Sequence, residues 1–293
     1  MPPPALPPRP RLGHDMTDAN PISPPFRNIK LVLAYDGTNY HGWQEQRGVP
    51  TVQQELEKAA SRILGHPLAV HGAGRTDAGV HAAGQVANFR TPNFSIPLTN
   101  FRRALNSKLP DDIAVRSANE VPAEFHASIS AIGKTYCYRI FRRPLKDVLL
   151  SRVTCHYWRP LDVEVMRRAG VRLLGKHDFR AFAYSAEQRE NTVRTITGCQ
   201  IEETPEELRI SVSGTGFLYK MVRNIAGTLI EIGRGRWDDR RIDVILASRD
   251  RSYAGPTAPA LGLCMMHVQY PPNAITLPPS QRPEVDSTGE ALP

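Results

Sequence analysis

Strand-type and helix-type periodicities follow one another along this chain in one order, and that order occurs twice. Near Asn28, the residues Ile29, Leu31, Leu33 and Tyr35 alternate with Lys30, Val32, Ala34 and Asp36, the period of a strand. Thr51 with Gln54 three residues later makes a capping box, so a helix opens there. Val52, Leu56, Ala59, Ala60, Ile63 and Leu64 form its apolar face and Gly65 its stop. A short strand over 68–71, a strand over 84–89, a helix over 99–108 and a strand over 113–117 complete the first series. In that second helix Leu98, Phe101, Leu105 and Leu109 point inward, and Arg102 and Arg103 point out. The second series opens with a long strand over 127–142. A helix capped by Asp162 follows, with Val165, Met166, Ala169, Leu173 and Leu174 inward and Gly175 as stop. Strands over 193–202 and 207–213 lead to a helix over 217–232 whose core stripe is Val222, Ile225, Ala226 and Leu229. A shorter helix over 238–248 and a strand over 263–270 end the series. Strand, helix, strand, strand, helix, strand is the split βαβ order of ferredoxin-like domains. The expected fold class is therefore α+β: two ferredoxin-like, RRM-like βαββαβ domains whose antiparallel sheets join edge to edge around a central cleft. The order of elements repeats; the residues themselves do not.

A chain of 293 residues suits about two domains of ordinary size. The expected division is a disordered Pro-rich segment over 1–26, which holds nine prolines, an N-terminal α/β domain over 27–125, a C-terminal α/β domain over 126–271, and a disordered tail over 272–293. Met16 offers an alternative start. The formal charge of +8 favours an anionic partner such as nucleic acid. No apolar run of about 18 residues predicts a membrane span, and the first residues lack the apolar centre of a secretory signal. Cys137, Cys155, Cys199 and Cys264 are far apart and form no C-x-x-C pair, which argues against a zinc knuckle or redox motif. Reduced thiols, and hence a cytoplasmic location, are the expectation. No metal and no cofactor are expected, since the chain carries no P-loop, dinucleotide fingerprint or metal-ligand cluster.

The chemistry concentrates in Gly72-Ala73-Gly74-Arg75-Thr76-Asp77-Ala78-Gly79-Val80-His81-Ala82. Its glycines free the backbone for turns and close approaches. A glycine-framed loop with Asp77 two residues after Arg75 builds core poorly but presents charge to a ligand well. Read locally, Asp77 is equally a turn residue bonding its own backbone. Upstream, Asp36-Gly37-Thr38 has the form of a phosphatase turn, but Ala34 stands where the attacking carboxylate would be. In Lys134-Thr135-Tyr136-Cys137-Tyr138-Arg139, a strand puts Lys134, Tyr136 and Tyr138 on one face. A cation beside two rings suits an RNA base and its phosphate, although buried sheet tyrosines give the same pattern. In Met221-Val222-Arg223-Asn224, Arg223 lies one position off the core stripe, where it can reach across a cleft with its stem packed.

The eleven residues 72–82 resemble the signature of the tRNA pseudouridine synthase A family. Tyr35-Asp36-Gly37-Thr38-Asn39-Tyr40-His41-Gly42-Trp43-Gln44 resembles its first block. The resemblance runs over about residues 28–270 and takes in Gly175 to Phe179, Phe182, Gly262-Leu263 and Tyr270. Cys264-Met265 departs from the aromatic and aliphatic pair usual after Gly-Leu, which puts one pocket wall in question. The resemblance implies isomerisation of uridine to pseudouridine in tRNA, at about positions 38–40 of the anticodon stem-loop. It implies Asp77 as the nucleophile, Tyr136 as the active-site tyrosine and Arg223 as the partner that keeps Asp77 ionised. A homodimer is implied as well. Attack at C1′ of the sugar and at C6 of the base both remain open. On this reading Tyr136 stacks on the base and takes the C5 proton, and Arg75 fills the gap left by a flipped base. Lys134, Arg102 and Arg103 bind substrate, and with Arg142 and Arg143 they meet phosphates.

Two rival readings remain. A non-catalytic RNA binder has no use for a carboxylate where phosphates approach, and the first series lacks an RNP1-like aromatic run. A metal-dependent nuclease needs more acids close to Asp77 than the sequence supplies.

Overall fold

The computed structural model describes residues 26–186 and 189–277. One ten-stranded sheet runs through both halves of the chain. Its strands are β1 (Arg27–Tyr35), β2 (His71–Gly72), β3 (His81–Thr91), β4 (Ile113–Val121), β5 (Gly133–Phe141), β6 (Cys155–His156), β7 (Gly175–Asp178), β8 (Val193–Glu203), β9 (Glu207–Gly214) and β10 (Leu263–Gln269). The helices are α1 (Val52–Leu64), α2 (Leu98–Asn106), α3 (Val163–Val171), α4 (Met221–Gly233), α5 (Arg241–Ser248) and the single turn α6 (Pro272–Ile275). The strand order is β4-β1-β3-β10-β5-β9-β8-β7, with β2 beside β3 and β6 beside β5.

The sheet forms where alternation is clearest. Ile29, Leu31, Leu33 and Tyr35 are buried while Lys30, Val32 and Ala34 are half-buried, so one face of β1 meets the core. β1 pairs antiparallel with β3 and β4, and β5 with β9 and β10. The halves join through a short parallel contact in which Cys264 and Met265 of β10 face His81 and Ala82 of β3. β10 thus inserts beside the strand that follows the glycine loop. α1 opens as its capping box predicts: Thr51 Oγ1 accepts the Gln54 amide, and Gly65 closes the helix at φ +79°.

Three expectations need correction. The strand expected over 127–142 begins only at Gly133; residues 126–130 turn, with the Ser130 amide on the His126 carbonyl at 2.9 Å. The helix expected over 217–232 begins at Met221, because Lys220 takes a left-handed φ of 61° that no helical residue adopts. Leu174, expected inward, is exposed, because α3 ends at Val171 and the chain turns away through Gly175. β6 and β7 were too short to read from periodicity. Of the segments expected to be disordered, 1–25 and 278–293 lie outside the described residues.

Candidate active site

The loop between β2 and β3 is held by the backbone around it. The Ala73 amide donates to Val86 O at 2.7 Å, and Gln85 Nε2 donates to Gly74 O at 2.8 Å. Tyr35 OH and Thr76 Oγ1 share a hydrogen bond of 2.9 Å, and the Trp43 amide donates to Thr76 O at 3.1 Å. The Gly79 amide reaches Tyr40 O at 3.3 Å. The 35–44 segment is therefore the cradle of the loop. Gly42 shows how close the fit is: its φ is +93°, and a Cβ there would lie 2.4 Å from Thr76 O.

Asp77 leaves this loop toward the other half of the molecule. Arg223 of α4 donates from Nη1 to Asp77 Oδ2 at 2.8 Å and from Nε to Ala258 O at 2.8 Å. The two side chains are 15% and 14% exposed, enough shelter for their attraction to exceed that of a surface pair. Both bonds fix the plane of the guanidinium, so the carboxylate is fixed with it.

The carboxylate opens on a cavity of about 850 Å³ whose lining includes Arg75, Asp77, Lys134, Tyr136, Phe217 and Leu263. Tyr136 is 7% exposed, and its ring meets Phe217 edge to face at 5.2 Å and 85°. Burial pushes the Tyr136 phenol well above its ordinary range, helped by nearby Tyr35 and Asp77, so it stays neutral. Burial also lowers the pKa of Lys134. Lys134 Nζ, Tyr136 OH and Met265 Cε all converge on Gly74, each 3.2–3.7 Å from the place a Cβ would take. A side chain at 74 would crowd this corner.

The structure thus brings Asp77, Arg223, Tyr136, Arg75 and Lys134 to one cavity wall or its immediate support. It leaves Arg102 and Arg103 exposed on α2, away from the cavity lining. Arg142 and Arg143 already pair with Glu203 at 2.9 Å and Glu206 at 3.4 Å. Met265 is buried under the loop, Cys264 lines a separate cavity with Cys137, and Leu263 takes the place on the wall. The departure at 264–265 therefore leaves the wall closed. Sequence reading missed Phe217, placed in a helix it does not join, and Tyr219, which also lines the cavity.

With that geometry established, relatedness is decisive. The family profile described as tRNA pseudouridine synthase matches residues 31–128 and 169–271. A protein named tRNA pseudouridine synthase A from Acetivibrio thermocellus is 47% identical over 245 residues, which are 84% of this chain and 100% of the relative. The chain belongs to the tRNA pseudouridine synthase family. Proteins of the same name from Ruminiclostridium cellulolyticum and Brevibacillus brevis are 46% identical over 246 residues and 45% over 245, each covering 84% of this chain and 100% of the relative. As a tRNA pseudouridine synthase the chain is an isomerase that converts uridine to pseudouridine in tRNA. No helix among the described residues is long and apolar enough to cross a membrane.

Proposed function

We propose that this synthase acts on the anticodon stem-loop, at about positions 38–40 of tRNA, with Asp77 as its covalent nucleophile. The observation that carries this reading is the 2.8 Å ion pair between Asp77 and Arg223 at the edge of the cavity. A carboxylate oriented through one oxygen by one guanidinium has its other oxygen to attack with, at either C1′ or C6. Covalent capture divides a difficult exchange of a C–N for a C–C glycosidic bond into steps: the base is detached, turns, and rejoins through C5.

Tyr136 is the wall against which the base turns. Its phenol is neutral, so its oxygen takes the C5 proton only as its own hydroxyl proton leaves to water in the cavity, not as a standing phenolate. Arg75 projects where a flipped nucleotide leaves a gap in the stem, and Lys134 meets the phosphate of the nucleotide held in the cavity. Arg102 and Arg103, open on α2, extend the basic track for the rest of the tRNA.

We read the two halves, about 27–125 and 126–271, as ferredoxin-like domains. Strand order supports this: β4-β1-β3-β2 in the first half and β10-β5-β9-β8 in the second are the same fourth-first-third-second arrangement. We also propose a homodimer, consistent with exposed Leu145, Val148 and Leu149 on one loop. A cytoplasmic location agrees with four free thiols. Mapping pseudouridine in unmodified tRNA after incubation with the protein tests the site of action. New pseudouridines confined to 38–40 are expected; modification confined to another arm of the tRNA contradicts it.

A further inference from the structure

Beside the Asp77 cavity lies an aromatic and basic patch that no step above uses. Tyr219 lines that cavity, and Tyr184 lines a neighbouring one of about 590 Å³. The two rings meet edge to face, centroids 5.3 Å apart at 74°, and the Tyr184 amide donates to Tyr219 O at 3.0 Å. They are 41% and 46% exposed. Single exposed aromatics need no explanation, but an adjoining pair at a cavity mouth marks a contact surface.

Lys220 adds the charge. Its Nζ lies 4.4 Å from the Tyr184 ring centroid and 5.2 Å from that of Tyr219. Its backbone holds φ 61°, uncommon for a residue with a Cβ and typical of functional sites where surroundings impose the strain. An exposed cation–π contact is weak, so the ammonium can exchange the rings for a phosphate.

The neighbouring cavity carries Arg180, Arg249 and Arg251. Arg180 donates to the carbonyls of Arg189 and Glu190, and Arg251 to Asn224 Oδ1 and Thr257 Oγ1, all neutral oxygens. Arg249 pairs with Asp178 at 3.3 Å, and the Asp250 carboxylate accepts from the Ser252 amide. Three guanidinium groups thus stand against two carboxylates, both already engaged.

We propose that Tyr184 and Tyr219 form a stacking seat for the base adjoining the target uridine, with Lys220 and Arg180 meeting the phosphate between the two nucleotides. This rests on tRNA as substrate and deepens that reading. Pulling one nucleotide from a stem exposes the face of its neighbour, and an aromatic seat replaces the lost stack. Every base has such a face, so the seat selects neighbours that splay easily and ignores their identity.

The test uses tRNA carrying 2-aminopurine next to the modified uridine, bound to the full-length protein. Its fluorescence is expected to stay quenched on the wild-type protein and to rise several-fold with Tyr184→Leu and Tyr219→Leu. Each of these variants is expected to raise KM about tenfold, the loss falling on KM more than on kcat. Tyr219→Phe restores both readouts, because the ring and not the hydroxyl does the stacking. Two Leu variants with wild-type fluorescence and KM within about twofold of wild type overturn the seat. So does a fall in kcat alone, which marks a structural role. Absence of pseudouridine formation by the wild-type protein refutes the catalytic reading instead, and fluorescence of the bound tRNA still decides the seat.

Discussion

At the scale of single residues, each group of the site is set by what surrounds it. Arg223 gives Asp77 its charged partner, and burial keeps Tyr136 neutral. His81, just after the loop, is a third case. It is 5% exposed, and the Gly37 amide donates to its Nδ1 at 3.0 Å while its Nε2 lies 3.1 Å from Leu261 O. Those partners fit a neutral ring. Burial lowers its pKa below 6.5, and the Asp36 carboxylate at 3.1 Å offsets only part of that. The folded state therefore binds this proton less readily than the unfolded chain. Stability is full above about pH 6.5 and declines as pH falls toward the folded-state pKa. Urea midpoints measured from pH 7.5 to 5.5 should fall, and His81→Asn should flatten that slope. An unchanged slope in the variant contradicts the assignment. Asp77, Tyr136 and Arg223 were legible in the sequence because each sat in a run of residue types that resembled a known pattern. The neutral state of His81 was not, since its partners come from residues 37 and 261.

At the scale of elements, α4 carries the second half of the site, and its first residues are where sequence and structure part. Periodicity gave the stripe Val222, Ile225, Ala226 and Leu229, all buried. It could not give the start, because Phe217 to Lys220 are apolar or neutral to helix and only the backbone angle of Lys220 stops it. That angle costs about 1 kcal/mol in a residue with a Cβ. Lys220→Gly should therefore raise stability by about that amount, seen as a higher urea midpoint, while weakening tRNA binding by removing the ammonium. A variant that is less stable than wild type contradicts the strain. The N-caps of α1 and α3 were readable for the opposite reason: Thr51 and Asp162 act on amides three residues away, Gln54 and Val165.

At the scale of the molecule, the site exists because β10 joins two halves that were each legible alone. Local alternation recovered the longer strands of both halves, but the parallel contact of Cys264 and Met265 with His81 and Ala82 spans about 180 residues and leaves no periodic trace. Charge is also a property of the whole: with +8 overall, tRNA affinity should fall steeply with salt. Arg102→Ala with Arg103→Ala should weaken binding and reduce the slope of log affinity against log salt by about 1–2. Indifference to the pair reduces both residues to a solvated face of α2. The central claim is that the first half supplies one acid, held by an arginine of the second, which bonds covalently to the substrate. Pseudouridine formation by Asp77→Asn on unmodified tRNA, with binding measured on the same protein, tests it most directly. Turnover should fall by about 10⁴-fold or more while affinity stays within a few-fold of wild type; turnover near the wild-type rate contradicts the account.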